Sequence, residues 1–259
     1  RNAETKNRKI NSMRLENKSV LITGGDSGIG KAVSLRFAKE GADIAIIYHE
    51  DRERAEEVQK EIEFMDRKCI VMPGDISDHK FCKQAAKQAA DAFGKIDILV
   101  NNAGTQTPCD DIEKLEVENI RKTFDANIIG MIMLTKEVFP YLSSGSSVIN
   151  TTSATAYQGH EELVDYSATK GAIVAFTRSL ALQSKPKNIR VNAVAPGPVA
   201  TPLTKDTFGE EEDDPNKPPF ERNATPEEVA SSFLFLASDD AAQITGQVLH
   251  PNGGIVVNG

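Results

Sequence analysis

Tryptophan is absent from this 259-residue chain, and cysteine and histidine are scarce, at three and four residues. Cys69, Cys82 and Cys109 are too few and too scattered for a disulfide framework, and none stands in a C-x-x-C pair. Unpaired thiols of this kind point to a reducing compartment, here the cytoplasm. His49, His79, His160 and His250 are equally dispersed, so no H-E-x-x-H helix or Cys/His cluster offers a metal site, and no metal is expected. No stretch reaches the roughly 18 uninterrupted apolar residues of a spanning helix, so no membrane partner is expected. Cations are in the minority. Thirty Lys and Arg against 38 Asp and Glu leave a net charge of −8, the wrong sign for neutralising nucleic-acid phosphates. Self-similarity at a period of about 20–50 residues is also missing, which removes solenoids and propellers.

What is present is an ordinary globular composition, 39% hydrophobic and 26% charged, long enough for one large α/β domain. Residues 1–14 are read as a flexible tail, with the domain at 15–259. Short β-branched runs at 20–22, 43–47, 69–72, 97–100, 147–150, 190–194 and 248–250 predict about seven strands. Between them, helical periodicity covers 29–40, 51–65, 81–93, 117–141, 165–183 and 226–237. In the second of these, Ala55, Val58, Ile62 and Met65 recur at intervals of three and four, one apolar stripe. Such alternation predicts a single α/β domain, a doubly wound parallel sheet of Rossmann type flanked by helices. Residues 203–222 stand apart, with seven acids against Lys205, Lys217 and Arg222, and with Pro215, Pro218 and Pro219. A polar, proline-rich insertion at a strand's carboxyl edge reads as a lid over a ligand, or as a solvated surface excursion.

Thr23-Gly24-Gly25-Asp26-Ser27-Gly28-Ile29-Gly30 falls between the first strand and the first helix. There, glycines let backbone N–H groups approach a pyrophosphate at a positive helix end. Tyr166-Ser167-Ala168-Thr169-Lys170 opens a long helix, and the i, i+4 spacing puts phenol and ammonium on one face. A nearby cation favours phenolate, so the Tyr166 pKa is expected to fall toward the range useful for proton transfer. Ser153 follows the fifth strand, and a hydroxyl at a strand's carboxyl end can face the same crevice.

Together these motifs resemble the short-chain dehydrogenase/reductase family, over about Lys18 to Gly254. The wording of the glycine loop, of Asn150-Thr151-Thr152-Ser153 and of Ala195-Pro196-Gly197-Pro198 is similar to the general-stress and glucose/ribitol-dehydrogenase-like branch. The resemblance implies a catalytic tetrad of Asn127, Ser153, Tyr166 and Lys170. It implies cofactor contacts from Thr23, Gly24, Asp26, Ser27, Gly28, Ile29 and Gly30, and from Asp75 and Ile76 at the adenine. Asn102, Ala103 and Gly104 match the strand-four motif, and Pro196, Gly197, Val199 and Thr201 match the segment that holds the nicotinamide amide. Tyr166 and Lys170 also belong to the cofactor set, Lys170 through the nicotinamide ribose. Thr245-Gly246-Gln247 and Asn252-Gly253-Gly254 resemble the C-terminal signature. The implied reaction is hydride transfer between NAD or NADP and a carbonyl or alcohol carbon. Tyr166 would be the general acid or base, Lys170 its pKa modulator, Ser153 the substrate oxygen's partner, and Asn127 the holder of a relay water. The implied assembly is a homotetramer built on the helices at 117–141 and 165–183. Ile173, Phe176 and Leu180 suit either that interface or the chain's own core.

Cofactor choice turns on the end of the second strand, where an acid accepts a ribose 2′-OH and Arg favours a 2′-phosphate. Tyr48 holds the usual acidic position, followed by His49, Glu50, Asp51 and Arg52, so NAD and NADP both stand. Tyr157, Gln158, His160 and Glu161, with Gln106 and Thr107, form a polar set suited to a sugar, polyol or small polar ketone or aldehyde. A catalytically silent NAD(P)-binding sensor or scaffold is the alternative, which the complete tetrad opposes. An enoyl reductase on this fold usually has a wider Tyr-to-Lys interval than 166 to 170.

Overall fold

The computed structural model describes residues 13–204 and 218–257. The apolar runs become β1 (Ser19–Thr23), β2 (Asp43–Tyr48), β3 (Cys69–Pro73), β4 (Ile96–Asn101), β5 (Leu142–Thr151), β6 (Arg190–Val194) and β7 (Val248–Leu249). They pair in parallel, in the order β3-β2-β1-β4-β5-β6-β7. All of β1 and β4 is buried, because helices cover both faces of the sheet, and this is why these strands read as continuous apolar runs. Strand order reverses between β1 and β4. The crevice outside their carboxyl ends is therefore where an open sheet of this kind binds ligands.

On one face α1 (Gly28–Lys39), α2 (Arg52–Glu63) and the helix Pro226–Ala237 bury Phe37, Val58, Ile62, Phe233 and Leu234 against the sheet. On the other, α3 (His79–Phe93), α5 (Gly130–Val138) and α7 (Val164–Ser184) bury Ala85, Ala89, Leu134, Val138 and Leu180. Burying each large side chain contributes about 1.5–3 kcal/mol. Further helices among the described residues include α4 (Val117–Phe124) and α6 (Thr155–Gln158), and the helix Pro226–Ala237 is α8. Helix starts follow local chemistry. Asp51 and Asp78 accept from the Arg54 and Lys80 backbone N–H groups, and Thr225 with Glu228 forms a reciprocal capping box.

The structure departs from the sequence pattern in four places. The single helix expected over 117–141 is interrupted by a π-turn, Asp125–Ile129, and ends in a 3₁₀ turn, Phe139–Tyr141. Helix α2 stops at Glu63, and the chain turns through Asp66 at φ 57°, which leaves Met65 37% exposed and outside the stripe. Helix α6 was not anticipated, being too short to show a period. Arg14, read as tail, donates from Nη2 to Asp240 Oδ2 at 2.6 Å beside the buried Leu15. Residues 1–12 of the expected tail and 205–217 of the expected lid lie outside the described residues.

Candidate active site

The loop between β1 and α1 is built by glycines at positions where a side chain would be strained or crowded. Gly24 and Gly28 hold φ of +63° and +49°, and a Cβ on Gly30 would overlap the Gly24 carbonyl oxygen. Helix α1 then begins at Ser27 with no side-chain cap and no acid in its first turn, so its leading N–H groups face the cleft at the positive end of the helix. Thr23 braces this loop from behind. Its Oγ1 accepts from the backbone N–H of Asn102 at 3.0 Å and of Ala103 at 2.9 Å. The Asn102 amide donates to the Gly24 carbonyl at 3.2 Å, joining the glycine loop to the end of β4.

One cleft runs from the carboxyl end of β2 to α7. It is lined by Gly24, Asp26, Ser27, Gly28, Ile29, Tyr48, His49, Glu50, Asp75, Ile76, Asn102, Ala103, Gly104, Ser153, Tyr166, Lys170, Pro196, Gly197, Val199 and Thr201. Of the residues singled out from sequence, Thr23, Gly30 and Asn127 instead sit behind the wall, where they hold lining residues in place. Four carboxylates line the cleft around the end of β2, Asp26, Glu50, Asp51 and Asp75, and Asp51 is paired with Arg54. Burial holds the Asp26 carboxyl above its ordinary pKa, and the charge of Asp51 adds to the effect. Arg52 is turned away, its Nε 2.6 Å from Glu56 Oε1, and Arg54 Nε lies 2.9 Å from Asp51 Oδ2. His49 sits between acids, 3.5 Å from Glu50 and 4.0 Å from Asp75.

At the other end, Ser153 Oγ accepts from Thr155 N–H at 3.2 Å and from the Thr155 hydroxyl at 3.1 Å, and it lines the cleft with Tyr166. Lys170 Nζ lies 5.2 Å from the centroid of the Tyr166 ring and donates to the Thr151 carbonyl at 3.0 Å. The expected lowering of the Tyr166 pKa is not what the folded site produces. Burial pushes the phenol up to about 12, outweighing the opposing effect of the nearby Ser153 hydroxyl. The same burial pushes the Lys170 ammonium down to about 8, which still leaves it charged at neutral pH.

Asn127 projects from the π-turn. Its amide donates to the Thr105 carbonyl at 2.9 Å and to Thr169 Oγ1 at 3.1 Å, while its Oδ1 accepts from Thr105 N–H at 2.7 Å. A Cβ on Gly104 would stand 3.2 Å from Asn127 Oδ1 and 3.5 Å from Lys170 Nζ, so glycine keeps these two groups close. Single-turn π elements are frequent at functional sites. Thr105, Thr151 and Thr169 were not singled out from sequence, because a threonine that supports another side chain carries no motif of its own. Nor was the α4 contribution of Glu118, Arg121 and Lys122, which line the cleft. Gln158, His160 and Glu161 line the cleft as expected, whereas Tyr157 packs edge-on against His250, ring centroids 4.7 Å apart.

A family model described as enoyl-(acyl carrier protein) reductase matches residues 24–256. A crystal structure of a short chain dehydrogenase from Burkholderia cenocepacia J2315 in complex with NADP superposes with a TM-score of 0.88 at 31% identity, covering 93% of this chain and 98% of that one. The chain belongs to the short-chain dehydrogenase/reductase family. Among curated members of that family, it is 46% identical over 256 residues to NADPH-dependent aldehyde reductase 1, chloroplastic, of Arabidopsis thaliana, covering 95% of this chain and 89% of that protein. It is 44% identical over 254 residues to glucose and ribitol dehydrogenase of Daucus carota, covering 95% and 87%. The glycine loop and the Ser153–Tyr166–Lys170 group of this short-chain dehydrogenase/reductase line one cleft.

Proposed function

We propose that this short-chain dehydrogenase/reductase binds a nicotinamide dinucleotide along the cleft and interconverts an alcohol and a carbonyl in a small, polar, uncharged substrate. The observation that carries this reading is the Lys170 ammonium 5.2 Å from the Tyr166 ring, in the cleft that Ser153 and the glycine loop also line. The residues present fit the cofactor: Gly24 and Gly28 leave a backbone cradle, and the uncapped start of α1 presents donors to a diphosphate. When bound, the nicotinamide supplies the hydride donor or acceptor.

The chain's own residues supply the rest. Ser153 Oγ orients the substrate oxygen, and Tyr166 gives a proton to that oxygen in reduction or takes it in oxidation. Lys170, fixed by the Thr151 carbonyl, provides the positive charge that moves the phenol back toward neutral pH once it is held protonated. Asn127, fixed by Thr105 and Thr169, is placed to bind a water between Lys170 and solvent. Gln158, His160 and Glu161 supply hydrogen-bonding groups for hydroxyls of the substrate. The names of the aldehyde reductase and the glucose and ribitol dehydrogenase support a sugar, polyol or small polar aldehyde. The four-residue interval from Tyr166 to Lys170 favours carbonyl over enoyl reduction.

The carboxylates at the β2 end favour a ribose 2′-OH over a dianionic 2′-phosphate, and we assign NAD as the preferred cofactor. The protein is proposed to act in the cytoplasm as a homotetramer, with exposed Ile129, Ile132 and Val164 at the helix interface. Tyr166→Phe tests the central assignment. Turnover of polar aldehydes and polyols should fall more than 1000-fold (a barrier change of roughly 4 kcal/mol), with cofactor affinity unchanged. Retained activity would refute the role of the phenol.

A further inference from the structure

The loop at the end of β3 and the turn that carries Asn127 meet at one glycine. Gly130 closes the π-turn by donating its backbone N–H to the Asp125 carbonyl. A Cβ on Gly130 would stand 3.0 Å from that same oxygen and 2.8 Å from the carbonyl oxygen of Ile76. Both neighbours are backbone atoms, so neither can swing aside. Ile76 is buried, lines the cleft, and has its carbonyl held from the other side by the Cys82 thiol at 3.0 Å. Burial pushes that thiol up to about 12, which keeps it protonated as a donor.

The rest of the loop is fixed as firmly. Gly74 lies flat on the Phe81 ring, where a Cβ would overlap it, and Asp75 Oδ1 accepts from Ser77 N–H at 2.8 Å. The first turn of α3 is tied to α5 by His79 Nε2 and Glu137 Oε1, 2.8 Å apart. This loop therefore has little freedom to move except together with the backbone of the π-turn.

We propose that Gly130 is a positioning residue that couples the adenine end of the cleft to Asn127, so that occupancy at Asp75–Ile76 steadies the turn holding Asn127. The inference rests on the reading of the cleft as a dinucleotide site. It is tested with AMP, which carries the adenine end alone, by calorimetry and by amide exchange at Thr105, whose N–H donates to Asn127 Oδ1. In the unmodified protein AMP should slow Thr105 exchange at least fivefold. Gly130→Ala should weaken AMP at least fivefold and abolish that protection. Cys82→Ala, which frees the Ile76 carbonyl without crowding it, should do the same in smaller measure, and Cys82→Ser should restore both readouts.

If Gly130→Ala does not fold, the two Cys82 variants decide. Variants that bind AMP and protect Thr105 like the unmodified protein overturn the coupling, as does weaker AMP binding with Thr105 protection intact. If the unmodified protein binds neither AMP nor NAD, the dinucleotide reading itself fails.

Discussion

Lys170 brings an ammonium into a place where only 3% of the residue is exposed, where it donates to the Thr151 carbonyl and lies over the Tyr166 ring. Its pKa of about 8 in the folded protein, against 10.5 for the free side chain, means that folding disfavours the charged form. Below pH 8 both folded and unfolded chains are protonated and the full cost, about 3 kcal/mol, is present. Between pH 8 and 10.5 the unfolded chain binds more protons than the folded one, so this cost fades as pH rises. Lys170→Met should therefore be inactive yet more resistant to urea than the unmodified enzyme at pH 7, with an advantage that shrinks toward pH 10. A variant less stable at pH 7 would show that the Thr151 bond outweighs burial. The residue itself was legible in sequence from its spacing to Tyr166 and Ser153. The direction of the phenol's pKa was not, because it depends on how much water the folded cleft excludes.

At the scale of elements, α1 and the strand before it work as one unit because Gly30 lets the helix start against the Gly24 carbonyl. Gly30→Ala should cost about 1–3 kcal/mol of stability, as overpacking does, and weaken NAD at least tenfold. Chemical denaturation and calorimetry measure the two effects, and unchanged cofactor affinity would dissociate the loop from the site. Strand β1 and the Ile98–Val100 core of β4 were legible because burial on both faces leaves continuous apolar runs. The π-turn was not. Residues 117–141 keep helical periodicity on both sides of it, and the extra residue in the turn is specified by tertiary contacts of Asn127 and Gly130 rather than by local propensity. Asn127 was thus identified by position in a motif, while its support by Thr105 and Thr169 became visible only in three dimensions.

Across the whole molecule, charge and exposed apolar surface set the remaining expectations. Asp26, Glu50, Asp51 and Asp75 at one end of the cleft should make NAD bind at least tenfold more tightly than NADP in parallel calorimetric titrations, and the reverse order would overturn the assignment. Ile129, Ile132 and Val164, between 40% and 48% exposed, form the apolar face assigned to assembly, whereas Ile173 and Leu180 are buried within the chain. Ile132→Glu should lower the mass seen by analytical ultracentrifugation from four chains to fewer, and an unchanged mass would place the interface elsewhere. The strand order carries one more consequence, in time rather than in space. Because β1 pairs with β2 on one side and with β4 on the other, its second edge waits for residues as far along the chain as Val100. At the roughly 5–20 residues per second of protein synthesis, that wait lasts on the order of 4–16 s. For that interval the nascent chain carries an open apolar strand edge, so chaperone capture or strand-mediated association is most probable before β4 has emerged.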